Sequence, residues 1–574
     1  MADTVREIER KYEVDGGARL PDLVGVGRVA TVAESGVEDL DARYFDTPDQ
    51  RLAADAITLR RRTGGRDAGW HLKLPVAPGV RDEVRAPLSD TPPPELTALV
   101  RSRVLDRELV PLVRLRTRRT VRVLRDAAGA PLAELAVDEV HAQRAEKSAQ
   151  GGAGTAGARW REIEVELLGG GDSALLDEVG RALVAAGARP AASASKLARA
   201  LAETGLERER PAPPGAGPDA PRPRGAGKGG GKAMVKDTGS GRDGHSGKVK
   251  GKDQPKPKTQ PKPKPKQGKD KGADAGHKTQ PTAGDVVLRY VREQVRVIIE
   301  LDPAVRRDLP DSVHRMRVAT RRLRSAFRSY TKVLDRAATR PVGLELKWLA
   351  AELGVDRDRE VLTARLQHAL AEVPRTLRLG PVAARLRIWS ERRRTGARRE
   401  VLSVLDGPRY LELLKTLHAL LEAPPLRPAA DGPAPEVVAG AVLRDYRRLA
   451  RRVEAALAAP AGRARDEALH GARKAAKRTR YAAEAARPAL GRPAKKFARR
   501  IKRVQQLLGD HQDGVVARGA LRELATQAQR AGEGGFTFGL LYGHEEARAT
   551  DRERELPRLW KKVSRRKHRA ALRP

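Results

Sequence analysis

A low-complexity segment divides the chain into two parts whose apolar residues repeat with different periods. The stretch PKPKTQPKPKPKQGKDKG begins at Pro255, and its flanks are rich in Gly, Pro and Lys. This composition offers no core-forming side chains, while proline and charge repulsion keep the backbone extended. Residues 207–283 are therefore predicted to form a disordered linker. It is most simply a spacer, and its lysines can add weak, salt-sensitive contacts with a polyanion.

The first 206 residues alternate short strand-like runs with turn signals. Apolar and polar side chains alternate with the period of two that is typical of strands. The candidate strands are Glu7–Val14, Asp41–Asp46, Thr58–Arg62, Gly69–Leu74, Arg81–Ala86, Arg114–Arg125, Leu132–His141 and Trp160–Leu168. Helices are predicted at Ser173–Ala186 and Ser195–Ala202. Many strands with few helices predict an antiparallel sheet or barrel.

Charged residues occupy alternate positions on strand after strand. In EIERKYEV, which begins at Glu7, alternation places Glu7, Glu9, Lys11 and Glu13 on one face. The plainer interpretation is a sheet with one solvated face. A closed barrel would instead turn these faces inward, where charges of both signs are costly unless they pair or bind ions.

A charged barrel interior would imply an ionic ligand. Arginine and lysine suit phosphate oxygens, and clustered carboxylates suit Mg²⁺ or Mn²⁺, which share oxygen ligands with substrate phosphates. The pattern therefore favours a metal–polyphosphate site. Charged residues that recur at alternate positions elsewhere in this region are Arg60, Arg62, Lys73, Arg81, Glu83, Arg116, Arg118, Asp138, Glu162, Glu164 and Glu166.

Beyond about residue 283 the pattern becomes helical, and one unit occurs twice. HRMRVATRRLR begins at His314 and HGARKAAKRTR begins at His470. Basic residues coincide at offsets three, seven, eight and ten from each histidine, namely Arg317, Arg321, Arg322 and Arg324, and Arg473, Lys477, Arg478 and Arg480. A Leu-Gly pair follows in both copies, at Gly354 and Gly509. The two landmarks recur after 156 and 155 residues, which indicates an internal duplication.

Each duplicated helix aligns its histidine with three cations. Offsets zero, three, seven and ten fall on one narrow stripe of a helix that turns about 100° per residue. A solvated face is the plainer interpretation, but such faces normally mix signs at i,i+4 to gain stability. Like charges in register favour a bound polyanion. The histidines are expected to contact phosphate without covalent chemistry, because no carboxylate consistently orients them as bases.

The composition limits the classes of partner and compartment. Lys and Arg number 114 against 74 Asp and Glu, a formal charge of +40, which favours a polyanionic partner. Aromatic residues make up 3%, which disfavours readers of single-stranded nucleic acid, and the lack of cysteine excludes disulfides and Cys-ligated metals. No signal peptide and no apolar run near the roughly 18 residues of a membrane span are found. A soluble cytoplasmic protein is expected.

The duplicated helices resemble the CHAD domain, named for conserved histidines on an α-helical fold. The resemblance covers about residues 284–570 and implies two four-helix bundles with a basic groove for inorganic polyphosphate. It also implies association with polyphosphate deposits. The groove residues it implies are His314, Arg317, Arg321, Arg322, Arg324, His470, Arg473, Lys474, Lys477, Arg478 and Arg480.

The charged strands resemble the CYTH family, the triphosphate tunnel metalloenzymes, over residues 1–206. That resemblance implies an antiparallel barrel of eight strands forming a tunnel. It assigns Lys11 to the polarisation of water, and Glu83 to the positioning of the cations. The metal ligands implied are Glu7, Glu9, Asp138, Glu164 and Glu166, with Glu162 as an alternative to Glu166. The triphosphate ligands implied are Arg60, Arg62, Lys73, Lys196 and Arg118, with Arg116 as an alternative to Arg118.

These observations predict a multidomain α+β protein in which an eight-stranded antiparallel β-barrel precedes all-α duplicated four-helix bundles. The expected function is hydrolysis of a triphosphate compound, most simply inorganic tripolyphosphate, with Mg²⁺ or Mn²⁺, together with polyphosphate binding. One alternative is a polyphosphate-binding protein with little turnover. Less favoured are a nucleic-acid binder and an adenylyl cyclase. Neither a specific nucleic-acid partner nor membrane insertion is expected.

Overall fold

The computed structural model describes residues 3–15, 19–145, 157–169, 172–206 and 280–573. The predicted linker lies almost entirely outside these ranges, since its residues 207–279 are not among them. In the part of the chain that the structure describes, no helix is long and apolar enough to cross a membrane.

The predicted strands are confirmed, most of them longer at one or both ends. The described strands are β1 (Asp3–Val14), β2 (Thr31–Asp46), β3 (Thr58–Thr63), β4 (Gly69–Ala77), β5 (Val80–Ala86), β6 (Val110–Arg125), β7 (Pro131–Arg144), β8 (Ala158–Leu167) and β9 (Arg189–Pro190). They pair in the order β5-β4-β3-β2-β6-β7-β8-β1-β9, and β1 also pairs with β5. Strands β1 to β8 therefore close into an antiparallel barrel, as the sequence predicts. The short β9 is added beside β1.

Among the described residues, four helices accompany the barrel: α1 (Arg51–Ala54), α2 (Pro94–Val104), α3 (Ser173–Ala185) and α4 (Lys196–Glu203). The last two were predicted, whereas α1 and α2 were not. Helix α3 lies on the outer face, where Leu176 and Val179 pack with Tyr12 and Ile163. Helix α4 packs with interior side chains through Leu197 and other apolar residues. An apolar cluster therefore fills part of the interior, next to α4.

Beyond residue 280 the described chain is helical. The α-helices are α5 (Ala283–Arg306), α6 (Ser312–Ser329), α7 (Arg336–Glu352), α8 (Gly354–Glu372), α9 (Val382–Asp406), α10 (Pro408–Glu422), α11 (Ala434–Ala458), α12 (Arg463–Ala485), α13 (Arg487–Arg530), α14 (Phe536–Val563) and α15 (Arg566–Ala570). Short 3₁₀ turns occupy Arg375–Leu377 and Pro428–Ala430. One large apolar cluster joins α5, α6, α11 and α12 with their neighbours. A second cluster joins α8 and α9 with the later part of α13 and the start of α14.

Helix α2 connects the barrel to the helical region. Its residue Ser102 donates a hydrogen bond from Oγ to the carbonyl oxygen of Ile299 on α5, at 3.2 Å. A second contact joins Arg307, just after α5, to Asp82 on β5, with 2.9 Å between Nη2 and Oδ2. Both contacts are at least partly shielded from solvent, so the barrel and the helical region are packed against each other.

Candidate functional site

The inward-facing side chains of the barrel line a cavity of about 270 Å³. Its walls carry charges of both signs, as alternation along the strands predicts. Ten of the predicted site residues line it, namely Glu7, Glu9, Lys11, Arg60, Arg62, Lys73, Glu83, Glu164, Glu166 and Lys196. Two more predicted ligands, Asp138 and Glu162, are buried beside the cavity, where both contact Lys196.

Lys196 lies at the centre of one acidic group, formed by Asp138, Glu162 and Glu164. Its Nζ lies 2.8, 2.7 and 2.6 Å from oxygens of these three carboxylates. Burial favours the neutral amine, but the surrounding carboxylates, Asp138 first, raise the pKa of Lys196 well above its usual value. Oxygens of the three acids also lie within 4.8 Å of one another. This lysine, expected to hold triphosphate, thus contacts residues expected to hold metal.

A second acidic group consists of Glu7, Glu9 and Glu166. The register of β1 and β8 sets Glu9 directly opposite Glu166, and all three side chains face the cavity. Burial, followed by the charges of Glu7 and Glu9, raises the pKa of Glu166 to about 7. Glu7 accepts a hydrogen bond from Lys73 at 2.7 Å, yet burial still raises its pKa. Glu7 and Glu166 are therefore less completely neutralised than the acids around Lys196, whereas Lys11 and other cations outweigh burial and lower the pKa of Glu9.

Lys11 lies between the two acidic groups. Its Nζ is 3.0 Å from Oε2 of Glu9, and it also pairs with Glu164. Although burial would favour the neutral amine, Glu164 and Glu9 raise the pKa of Lys11 above its usual value. The ammonium is therefore held charged near neutral pH, so it can stabilise negative charge but cannot act as a general base.

Glu83 holds the cations of the opposite wall. Its carboxylate is fully buried and lies 3.6 Å from Nζ of Lys73 and 3.7 Å from Nη2 of Arg60. It also accepts a hydrogen bond from Nε of Arg85 at 2.5 Å. Burial would raise its pKa, but His71 and Lys73 hold the pKa of Glu83 well below its usual value. This permanent negative charge can fix the positions of three cations.

Positive charge is crowded where Arg60 and Arg62 lie side by side on β3. Burial, followed by the charges of Arg60 and Arg119, lowers the pKa of Arg62 to about 9. Arg62 pairs with Asp67 at the edge of the cavity. Such crowding disfavours the charged form until an anion is bound, so phosphate oxygens would relieve it.

The structure corrects the placement of Arg116 and Arg118, one of which was expected to hold the triphosphate. Both are exposed on the outer face of β6. The inward position belongs to Arg119, whose Nη2 lies 2.7 Å from Asp138 and 2.6 Å from Glu164. Alternation along β6 explains the difference. Leu115, which is buried, lies on the same face of the strand as Arg119, whereas Arg116 and Arg118 lie on the opposite face.

Several inward residues were not assigned a role from the sequence. Arg81, Arg85 and Tyr44 line the cavity, and strand parity would have revealed them. His71 is buried behind Glu83, with Nδ1 3.0 Å from that carboxylate and Nε2 2.9 Å from the carbonyl oxygen of Asp67. Burial lowers the pKa of His71 to about 4. These contacts depend on the pairing of β4 with β5 and on the turn before β4, which alternation along one strand does not record.

In the helical region, the duplicated histidines and cations lie on α6 and α12, as predicted. Arg317 donates to the carbonyl oxygen of Gly354 at 3.3 Å, and a Cβ at that glycine would lie 2.7 Å from the guanidinium. Arg473 likewise lies beside Gly509. The glycine of the first repeat therefore leaves room for Arg317, whereas a Cβ at Gly509 would lie 3.7 Å from Arg473, in ordinary van der Waals contact.

The two basic helices approach each other through equivalent residues. Burial, followed by the charges of Arg473 and Arg321, lowers the pKa of Lys477 to about 8. Burial and then Lys474 lower the pKa of His470. Arg473 also lies 3.4 Å from Asp513. The cations at offset eight contact carboxylates as well, since Arg322 lies 3.4 Å from Glu484 and Arg478 lies 2.8 Å from Asp445. Arg480 also pairs with Glu484. We call the surface formed by offsets zero, three and seven of both helices the basic stripe.

Comparisons with known proteins find a different domain in each of the two regions. The CYTH domain matches residues 5–200 and the CHAD domain matches residues 289–522. The uncharacterized protein Rv2226 of Mycobacterium tuberculosis is 37% identical over 559 residues, covering 96% of this chain and 94% of that protein.

Solved structures match one part of the chain at a time. PptA from Streptomyces chartreusis is 21% identical, with 49% of this chain and 99% of that chain covered and a TM-score of 0.42. The CHAD domain from Ricinus communis is 24% identical, with 50% and 92% covered and a TM-score of 0.40. HpAC1 from Hippeastrum, described as a putative adenylyl cyclase with a dominant triphosphatase activity, is 17% identical, with 35% of this chain and 96% of that chain covered and a TM-score of 0.21. With both domain matches and a relative similar along nearly its whole length, this chain belongs to the two-domain CYTH–CHAD proteins.

Proposed function

We propose that the barrel hydrolyses a triphosphate compound, most simply inorganic tripolyphosphate, in the presence of Mg²⁺ or Mn²⁺, and that the helical domain binds inorganic polyphosphate. CYTH proteins are triphosphate tunnel metalloenzymes, which supports a general role in phosphoryl transfer or hydrolysis. The observation that carries the proposal is the barrel cavity, where crowded arginines lie near two acids, Glu7 and Glu166, whose pKa values are raised.

The acids of the cavity fit a hard divalent cation. Glu7, Glu9 and Glu166 offer carboxylate oxygens, the ligands that Mg²⁺ and Mn²⁺ prefer. The raised pKa of Glu166 reflects burial and negative neighbours, a condition that a cation would relieve. We assign these three residues as the primary ligands, with Glu164, Glu162 and Asp138 as further acids beside them. When bound, the metal would supply charge neutralisation of the phosphate oxygens.

The cations of the cavity are suited to holding the phosphate groups. Arg60 and Arg62 present guanidinium groups that can donate two hydrogen bonds to one phosphate. Lys73 is shared between Glu7 and Glu83, so it links the acidic wall with the basic one. Arg119 takes the role first expected of Arg116 or Arg118, and Lys196 lies beside it. Preorganised charges of this kind lower the barrier without reorganising during the reaction.

Lys11 is assigned to the reacting water and the charge that develops near it. It is held as an ammonium by Glu9 and Glu164, so it can orient a water by donating a hydrogen bond and can stabilise negative charge. Glu83 keeps the basic wall in place from behind. Catalysis then depends on positioning and electrostatics, and no covalent intermediate with the protein is needed.

The helical domain is proposed to hold a longer phosphate chain on the basic stripe. The lowered pKa values of Lys477 and His470 reflect burial beside like charges. A polyanion lying across α6 and α12 would reverse that repulsion. Binding there would keep the barrel near long-chain polyphosphate.

A phosphate-release assay tests the enzymatic part. The full-length protein, incubated with tripolyphosphate, thiamine triphosphate or ATP, is expected to release phosphate only when Mg²⁺ or Mn²⁺ is added. Tripolyphosphate should be the fastest substrate. No turnover with any triphosphate, together with retained binding of long-chain polyphosphate, would replace the enzyme by a binding protein that uses the barrel as a ligand site.

A further inference from the structure

A second large cavity lies in the helical domain, beside the basic stripe. It has a volume of about 1090 Å³, and nine arginines but only two carboxylates line it. Its walls come from α6, α7, α11 and α12. We call it the arginine cavity. Only Arg324 and Arg478 of its arginines belong to the residues expected from the sequence to bind polyphosphate.

The charges of the arginine cavity are largely uncompensated. Among the described residues, Arg478 is the one arginine of its lining with a carboxylate oxygen within 4.0 Å, on Asp445. Arg324 is half-buried, and burial together with the charges of Arg328 and Arg321 lowers its pKa. Arginines on a protein surface usually pair with acidic neighbours. A concave surface with nine arginines and only two carboxylates therefore attracts anions.

The duplication allows α11, which lines the cavity, to be compared with the equivalent helix of the first repeat, α5. Helices α5 and α11 align at a separation of 151 residues, because Thr282 and Pro433 are the residues immediately before each helix. These two residues also form a β-bridge with each other. Equivalent positions are buried in both helices, for example Val287 with Val438 and Val291 with Val442. The exposed faces of the two helices can therefore be compared position by position.

The exposed faces of α5 and α11 differ in charge. On α5 the positions are Glu293, Arg296, Val297 and Glu300; on α11 the equivalents are Arg444, Arg447, Arg448 and Arg451. On α5 the arginine pairs with both acids, 3.1 Å from Glu293 and 2.6 Å from Glu300. The first repeat thus has an internally neutralised face, whereas the second has four arginines facing the cavity.

We infer that polyphosphate is held asymmetrically, continuing from the basic stripe past Arg324 into the arginine cavity, where α11, the first helix of the second repeat, supplies four of the nine arginines. This inference rests on the proposed binding of polyphosphate by the helical domain. Guanidinium groups suit phosphate oxygens, and the cavity is roomy enough for several phosphate units. Its aromatic lining residue, Phe327, is buried, so the cavity lacks the stacking surface that nucleic-acid bases use.

The test exchanges the pattern of one repeat for that of the other. In full-length protein, Arg444→Glu with Arg451→Glu gives α11 the ion-paired arrangement of α5 around Arg447, which favours folding. Affinity for long-chain polyphosphate in about 0.1 M salt should fall by roughly tenfold or more, with a shallower salt dependence. Tripolyphosphate hydrolysis by the barrel should be unchanged. If charge reversal disturbs folding, Arg447→Gln with Arg451→Gln removes the charges more mildly.

The matched control is Arg522→Glu with Arg530→Glu, an equal charge change at exposed positions of α13. It should lower affinity by no more than about twofold, since charges beyond a Debye length of about 10 Å are screened. Equal losses in the two variants would overturn the asymmetric site while leaving polyphosphate binding intact. If the unchanged protein did not bind polyphosphate, both the asymmetric site and the proposed polyphosphate binding would be rejected. Displacement of polyphosphate by single-stranded DNA at equal charge would reject its assignment as the ligand.

Discussion

The barrel interior and the basic stripe both gather cations, but they balance them differently. Inside the barrel, Lys11, Lys73 and Lys196 each contact at least two carboxylates. On the stripe, burial, followed by the charges of Arg473 and Arg321, lowers the pKa of Lys477. Charges inside the barrel are paired with carboxylates, whereas a bound polyanion would compensate the cations that are crowded on the stripe. The barrel is thus suited to a small ligand with a metal, and the stripe to a long polyanion.

Removing a carboxylate from the barrel should have the largest effect. Glu9→Gln takes away a proposed metal ligand and the partner of Lys11, so kcat for phosphate release should fall by about 1000-fold. The control is Glu34→Gln, which changes an exposed carboxylate on the outside of the same barrel. A Glu9→Gln protein with near-normal turnover would show that the interior acids serve stability alone.

Strand parity gives the next largest contrast. Arg119→Ala should lower kcat/KM by about 100-fold, or 2.7 kcal/mol, because a charged phosphate ligand would be lost. Its neighbour Arg118, on the outer face of β6, provides a control, and Arg118→Ala should remain within about twofold of the unchanged protein. Circular dichroism, with Arg119→Lys as a milder change, separates loss of fold from loss of function. Equal effects at both positions would contradict the inward assignment.

The pH dependence of metal binding should report Glu166. Its pKa is raised to about 7, so below that pH the carboxyl holds a proton that a metal must displace. Mn²⁺ affinity should therefore rise by about tenfold per pH unit up to pH 7 and level off above it. Titration calorimetry from pH 5.5 to 8 measures this, and Glu166→Gln should flatten the rise. A flat profile in the unchanged protein would mean that Glu166 is not a ligand.

The smallest effect is expected on the stripe, where many cations share one ligand. His470→Ala with Arg473→Ala should weaken polyphosphate binding by about fivefold, and polyphosphate should outcompete duplex DNA of equal charge. His368, an exposed histidine paired with Glu372 on α8, supplies a control through His368→Ala. Unchanged affinity in the double variant, or equal affinity for both polymers, would argue against a dedicated stripe.

Much of the fold follows from local periodicity. Alternation identified the barrel strands, and the duplicated HRMRVATRRLR pattern identified α6 and α12. Helix α2 was missed although Pro94 and Glu95 are typical of a helix start. Its few apolar residues acquire a role only by packing against the barrel. Helices and strands were therefore predicted best where apolar or charged residues recur regularly along one face of the element.

The site was predicted less completely, for reasons that depend on distant contacts. The run RTRR from Arg116 to Arg119 offers arginines of both parities, and only pairing with β2 and β7 decides which face is inside. The contact of Lys196 with Asp138 joins residues far apart in the chain. The arginine cavity combines four helices, so no single segment could reveal it.

The most direct test of the account is to locate the ligand. A crystal structure of the full-length protein with Mn²⁺ and a non-hydrolysable tripolyphosphate analogue should show an anomalous peak beside Glu7, Glu9 and Glu166. The phosphates should contact Arg60 and Arg62. Finding the metal and the analogue outside the barrel, with its interior ion pairs undisturbed, would contradict the claim that the enclosed charges form a metal-dependent triphosphate site.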